Sequence, residues 1–427
     1  MKRIFPAVLT LLFLCTAGIA GDWSRFRGPN GSGVVGDDIP TRWSSTANLK
    51  WTVDLPGSGT SSPIVVGNRV YLTAYTGYGV DAKNPGRVED LVRHLLAFDR
   101  NTGQELWRTS VPSAVEEDPY KGFITQHGYA SATPTSDGER VFALFGKTGL
   151  FAFDLDGKQL WKTSLGTKSD PARWGGGASP MVHGDHVIVN AGILGNQFIA
   201  VDRRTGKTAW KIEDPSFTNC WSTPTIATTD SGPQLLFHVP KQVIAVEPAT
   251  GKKLWTLESP LNDATCGCIV TQDGLAYLMG SRMGRAMALR AGSEGTKLWS
   301  KRMQSSISTP LLLGGNLYWL TGGSVFTAVN TEDGSSAYRE RLPIKGAATS
   351  FPNSDYSSPV AARDKILLFR RNGESYVIRA GDEFELLGHN PPFDGDDSAF
   401  SSTPAVSEGD IFIRSERKLY CIGRRSI

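Results

Sequence analysis

Leu95-Leu96-Ala97-Phe98-Asp99-Arg100-Asn101-Thr102-Gly103-Gln104-Glu105-Leu106-Trp107 is a phrase that this chain repeats, with variants ending at Trp161, Trp210 and Trp255. It reads as strand, turn, strand. Apolar residues run up to Asp99, whose carboxylate can cap backbone amides. Gly103 takes the left-handed turn position, and the second strand carries the Trp. Upstream of each phrase lies a short Ser/Thr-Pro element: Ser62-Pro63, Thr133-Pro134, Ser179-Pro180 and Thr223-Pro224. Thr309-Pro310, Ser358-Pro359 and Thr403-Pro404 continue the series, with Cys268 filling the proline slot between Pro224 and Pro310. The slots are separated by 71, 46, 44, 44, 42, 49 and 45 residues. A period of roughly 40–50 residues marks a propeller or a solenoid.

One unit reads as four strands. Pro63 to Val66 is short and apolar, Gly67-Asn68 is a tight turn, and Arg69 to Thr73 alternates. After an insertion, His94 to Phe98 and Glu105 to Thr109 flank the Asp-to-Gly turn. Four short antiparallel strands make a propeller blade. Proline cannot donate to a ladder, so its slot belongs on an edge strand, here the innermost one facing a central channel. Two residues before the slot the side chain is small throughout: Ser61, Ala132, Ala178, Ser222, Cys266, Ser308, Ser357 and Ser402. One residue before, a hydroxyl stands in every unit except at Gly267. Hydroxyls there can satisfy backbone groups that an edge leaves unpaired.

Units begin near Thr60, Ser131, Gly177, Trp221, Thr265, Ile307, Tyr356 and Ser401. Outer strands carry Trp51, Trp107, Trp161, Trp210, Trp255 and Trp299, then weaker forms at Tyr338 and Leu386. The first outer strand, Leu49 to Val53, precedes the first unit, and the last unit ends at Tyr420-Cys421 without one. The expectation is an all-β, eight-bladed propeller in which Leu49–Val53 completes the last blade and closes the ring.

The 427 residues carry a net charge of +3 without a basic run, which argues against a nucleic-acid partner. Lys2-Arg3, the apolar stretch from Ala7 to Ala17 and the small residues Gly18 and Ala20 read as a signal peptide over residues 1–20, cleaved before Gly21. Residues 21–48 form a lead-in, and 49–427 the propeller. The expected product is a periplasmic or extracellular monomer with no membrane span after cleavage. Cys220, Cys266, Cys268 and Cys421 allow three pairings, and the sequence does not choose among them.

The Ala-x-Asp-x-x-Thr-Gly-x-x-x-Trp phrase resembles the tryptophan-docking repeat of the PQQ-like (quinoprotein-type) β-propellers, over about residues 49–422. The stretch from Trp23 to Gly31 resembles the lead-in of secreted, stand-alone, BamB-like members. That resemblance implies that Trp51, Trp107, Trp161, Trp210, Trp255 and Trp299 are structural wedges between blades, each indole N–H finding a backbone acceptor. The family has a non-catalytic, BamB-like branch and a branch of PQQ- and Ca²⁺-dependent alcohol and sugar dehydrogenases. The second branch implies a vicinal Cys–Cys disulfide, a Ca²⁺ held by carboxylate and amide oxygens, and an Asp base. Here the nearest feature is Cys266-Gly267-Cys268, and no Cys-x-x-Cys-His haem site occurs.

Other motifs read as structure. His183-Gly184-Asp185-His186 falls on the hairpin turn equivalent to Gly67-Asn68, and Gly146-Lys147-Thr148 lacks phosphate-loop spacing. Asp394-Gly395-Asp396-Asp397 reads as a solvated acidic loop rather than an EF-hand. No catalytic residue, metal ligand or cofactor is expected. The loops from each outer strand to the next innermost strand share one face, and their unlike, bulky residues are the candidate ligand or partner surface: His127, Tyr129, Arg173, Trp174, Trp221, Asp355, Tyr356, Asp396, Asp397 and Phe400. The expected function is a scaffold that binds an envelope protein or an extracellular polymer. The alternative is a quinoprotein oxidoreductase holding PQQ and Ca²⁺ at the same face.

Overall fold

The computed structural model describes residues 21–170, 173–262, 264–280, 284–303, 307–321, 323–343 and 355–424. The signal-peptide expectation for residues 1–20 lies outside them. Eight antiparallel four-stranded sheets follow one another around a central channel. Blade 1 comprises Ile64–Val66, Arg69–Thr76, Val92–Asp99 and Glu105–Pro112, from axis to rim. Blades 2 to 7 repeat this order, and blade 8 is built from Ala405–Ser407, Asp410–Arg414, Lys418–Ile422 and, at the rim, Leu49–Asp54. Trp51 lies opposite Cys421 and Thr52 opposite Tyr420, so the two ends of the chain share one sheet. The ring closes as the unit count requires.

Blades pack face to face through apolar layers. Each docking Trp crosses to the turn of the next blade. The indoles of Trp51, Trp107, Trp161, Trp210 and Trp299 donate to the carbonyls of Arg100, Leu155, Arg203, Pro248 and Thr331 at 2.9–3.1 Å. The turn glycine of that next blade lies flat under the ring. A Cβ on Gly251 would stand 2.6 Å from the Trp210 indole, and its φ is +72°. Trp255 differs. Its indole donates to the Gln234 Oε1 at 2.9 Å, and Gln234 Nε2 donates to the Gly292 carbonyl at 2.8 Å, so a side-chain amide relays the contact to blade 5.

Beside each wedge position the two outer strands slip register by one residue. Such a bulge leaves one residue unpaired. In five blades that residue is a leucine; Leu106, Leu160, Leu254 and Leu298 are exposed, and Leu387 of blade 7 is half-buried.

Two sequence expectations need correction. In blade 7 the wedge position, opposite Val377, is Gly388 rather than Leu386. The reason is that the lead-in chain crosses there. A Cβ on Gly388 would meet the Thr41 carbonyl at 1.9 Å, Asn390 bonds Thr41 O and the Trp43 N–H, and buried Trp43 stacks on Phe369 at 6.1 Å. Trp43 thus packs an indole from outside the repeat against blade 7, which lacks a wedge of its own, although its N–H is buried without a hydrogen-bond partner. In blade 5, Cys268 does not fill the proline slot. The innermost strand starts at Val270, and counting back from its Asp273-Gly274 turn puts Ile269 in that slot and Cys268 in the hydroxyl slot.

The lead-in closes the channel on the hairpin side. Trp23 pairs with Val65 of blade 1, the Ser24 carbonyl accepts from Ser136 N–H of blade 2, and Val34–Val35 adds a fifth strand, parallel, to Val360–Ala362 of blade 7. Buried Arg27 donates to the Pro359 and Pro310 carbonyls at 2.9 and 3.1 Å. Those groups lie on innermost strands, where an edge carbonyl has no strand partner.

Candidate functional site

The slot before each proline position builds the waist of the channel. Ser62 N–H donates to Thr133 Oγ1, Thr133 to Ser179 Oγ and Ser179 to Thr223 Oγ1, at 2.9–3.0 Å. On the far side Cys268 N–H donates to Thr309 Oγ1, Thr309 to Ser358 Oγ, Ser358 to Thr403 Oγ1 and Thr403 to Ser62 Oγ. Seven hydroxyls and the Cys268 thiol therefore form a belt, each hydroxyl taking an N–H from the preceding blade. The hydroxyls recur in sequence because each ties one blade to the next.

Above the belt the channel opens into a cavity of about 190 Å³ that runs from Phe26 of the lead-in, through the belt, to an aromatic mouth. Phe123, Trp174, Trp221 and Tyr356 form the mouth with His127 and Gln126. Trp174 lies 4.8 Å from both Phe123 and Trp221, and Phe123 stands edge-on to Tyr356 at 6.3 Å. The Trp221 indole donates to the Gly175 carbonyl at 2.8 Å. The Arg371 guanidinium covers the outer side of Tyr356 at 5.6 Å and bonds Ser401 Oγ and Gln126 Oε1.

Phe123 and His127 belong to the insertion after blade 1, and buried ion pairs hold that insertion down. Arg93 of blade 1 bonds Glu117 at 2.8 Å and the Tyr129 carbonyl at 3.0 Å, while Lys147 of blade 2 bonds Asp118 at 3.0 Å. His127 is fixed between Ser131 Oγ, at 2.6 Å, and the Trp174 carbonyl. Burial pushes its pKa down to about 4, so the ring is neutral at physiological pH. Burial likewise pushes the Tyr356 phenol up to about 12.

Of the ten residues singled out in the sequence, His127, Trp174, Trp221 and Tyr356 line this one cavity. Trp221 is also part of the hydrophobic layer around blades 2 and 3, so it is wall as well as surface. The others lie elsewhere. Tyr129 is buried beneath the insertion, its hydroxyl on the Asp118 carbonyl. Arg173, at φ +54°, lines a separate surface hollow. Asp355 accepts from Arg370 and from the Arg371 N–H. Asp396 accepts from Ser398 and Tyr420, Asp397 is exposed beside Arg417, and Phe400 is fully buried against Phe369 and Phe393. Phe26, Phe123 and Arg371 were not legible as site residues, because they stand outside the repeated phrase and nothing local marks them.

The donor set tests the quinone alternative. Among the described residues the cavity wall carries hydroxyls, aromatic rings, one imidazole, the Gln126 amide and two thiols, but no Asp or Glu. Among them no group of three His, Cys, Asp or Glu gathers to hold a metal ion. Ca²⁺ requires six to eight oxygen ligands, chiefly carboxylates and carbonyls. The cavity is also smaller than the roughly 300–1,000 Å³ typical of larger ligands. The described wall offers no carboxylate to Ca²⁺, and the cavity is small for a tricyclic quinone.

Comparison with known proteins agrees with the repeat. The family described as outer membrane protein assembly factor BamB, a PQQ-like repeat family, matches residues 88–227 and 240–426. A polyvinylalcohol dehydrogenase from a Pseudomonas species is 28% identical over 199 residues, covering 36% of this chain and 29% of that protein. Outer membrane protein assembly factor BamB of Burkholderia pseudomallei strain K96243 is 29% identical over 163 residues, covering 38% of this chain and 32% of that protein. The matches thus span about a third of each relative's length. The crystal structure of BamB from Moraxella catarrhalis superposes with a TM-score of 0.63 at 12% identity, covering 89% of this chain and 98% of that one. At that identity the likeness speaks for the fold alone.

Proposed function

The chain belongs to the PQQ-like β-propeller family described as outer membrane protein assembly factor BamB, and from that premise we propose that it is an exported, non-catalytic propeller that holds a ligand or a segment of an envelope partner in its aromatic mouth. The observation that carries this reading is the convergence of Phe123, Trp174, Trp221 and Tyr356, from four different loops, on one cavity. Flat apolar walls with a few fixed polar groups suit a single ring or one inserted side chain. Export rests on the basic and apolar pattern of residues 1–20. An envelope partner rests on the printed role of the BamB relative. No helix among the described residues is long and apolar enough to cross a membrane.

The test is a titration with 3-phenylpropionamide followed by tryptophan fluorescence. Saturable binding is expected in the wild type. Trp174→Ala, which removes a partly exposed ring, is expected to weaken it about tenfold or more, in line with ~1–3 kcal/mol for a stacked aromatic contact. The melting temperature should stay within a few degrees. No saturable signal in the wild type would refute the pocket reading.

A second reading is a quinoprotein oxidoreductase, favoured by the polyvinylalcohol dehydrogenase relative. Reconstitution with PQQ and Ca²⁺, followed by dye-linked oxidation of alcohols or sugars, decides it. Stoichiometric cofactor binding with turnover would replace the first reading.

A further inference from the structure

Each belt hydroxyl accepts one backbone N–H, yet among the described residues no protein acceptor takes its own proton. The seven oxygens line the cavity, so their O–H groups are free to turn toward its axis. The shaft below the aromatic mouth is therefore ringed by donors.

Beneath it lie two buried cations. Arg25 and Arg27 flank Phe26, which forms the cavity floor. They are 7% and 1% exposed, and neither forms an ion pair with a carboxylate among the described residues. Arg27 is satisfied by four carbonyls. The Arg25 Nε is buried with no hydrogen-bond partner. The ionisable groups near it are Cys268, in the belt, and His183. A guanidinium in that position carries a desolvation cost that a nearby anion would offset. Burial lowers both arginines to about 10, which still leaves them charged at neutral pH.

We propose that the shaft binds a carboxylate: the belt hydroxyls donate to it, Arg25 and Arg27 supply the compensating charge from below, and the aromatic mouth takes the ring or apolar side chain attached to it. This inference rests on the pocket reading above and names the ligand class of that pocket, an apolar monocarboxylate. The field acts through a low-dielectric floor, where unit charges interact far more strongly than in water. The same chemistry has two sources, a free aromatic acid and the C-terminus of a polypeptide ending in an aromatic residue.

The experiment is calorimetric titration of the purified full chain with 3-phenylpropionate, with its neutral amide, and with N-acetyl-Ala-Phe in free-acid and amidated forms. The acid is expected to bind at least tenfold more tightly than its amide. The peptide arm identifies the source. Arg25→Met should bring acid and amide to equal affinity while melting no lower than the wild type, because the arginine Nε makes no hydrogen bond to lose. Cys268→Ser adds an eighth hydroxyl to the belt and should tighten the acid alone. This variant carries the test if Arg25→Met does not fold. Equal affinities for acid and amide in the wild type would overturn the carboxylate inference and leave the aromatic pocket standing. Absence of binding by every probe would overturn both. An acid preference that survives Arg25→Met would place the charge elsewhere and also overturn it.

Discussion

A single glycine carries two constraints in this chain. Gly251 needs its positive φ for the turn, and it needs to lack a Cβ because the Trp210 indole lies on it. Either constraint alone would favour glycine, and together they explain why Gly103, Gly157, Gly206, Gly251 and Gly295 recur beside the tryptophans. Gly251→Ala is expected to cost about 2–4 kcal/mol, combining left-handed strain of ~1 kcal/mol with displacement of a packed ring; urea unfolding would measure it. Histidine shows the same logic in its charge. Burial pushes His94 and His127 down to about 4 and His238 to about 3, from an ordinary value of 6.5. A depressed folded-state pKa favours the neutral ring in the native protein. The stabilisation is thus complete above pH ~6.5 and is lost as pH falls toward 4. Denaturant midpoints should therefore drop between pH 7 and pH 4.5, and His127→Asn should flatten that slope. An unchanged midpoint over this range would show that burial does not act on these rings as described.

At the scale of the element, the blade is a repeated solution with local repairs. Blade 4 reaches blade 5 through the Gln234 amide instead of a direct indole-to-carbonyl bond. Blade 7 has no wedge of its own and borrows Trp43 from the lead-in. Residues 21–48 are therefore structural rather than a passive linker. Trp43→Ala is expected to cost about 3–5 kcal/mol, as for other buried Trp truncations. Its effect on the melting temperature should rival that of Trp210→Ala. A loss below ~1 kcal/mol would mean that blade 7 packs without it. The wedges themselves were legible because they recur. Trp43 was not, because a residue that occurs once and acts across more than 300 positions leaves no periodic trace.

For the whole molecule, closure decides everything else. Leu49–Asp54 completes the sheet whose other strands end at Ile422, and the lead-in ties blades 1, 2, 6 and 7 beneath the axis. A chain beginning after Asp54 would lack the rim strand of blade 8 and the channel floor at once. It should lose cooperative unfolding and self-associate through the exposed edge, as read by light scattering. A monomeric, cooperatively unfolding truncation would show that the ring does not depend on this closure.

Local, repeated chemistry was fixed by the sequence: the four-strand blade, the count of eight, the closing strand, the wedges and the hydroxyl slot. Each of these is a short-range pattern that must recur in every unit, so periodicity exposes it. The cavity was decided only by the tertiary structure. His127, Trp174, Trp221 and Tyr356 meet there because loops from different blades share one face, whereas Tyr129, Asp396 and Phe400, chosen on the same local grounds, turn inward or bond elsewhere. The same holds for Cys268, whose place in the belt depends on strand register, and for Arg25 and Phe26, whose position under the axis depends on where the lead-in crosses. Convergence at a channel axis is set by the closure of the ring, and no spacing along the chain encodes which side chains will face it.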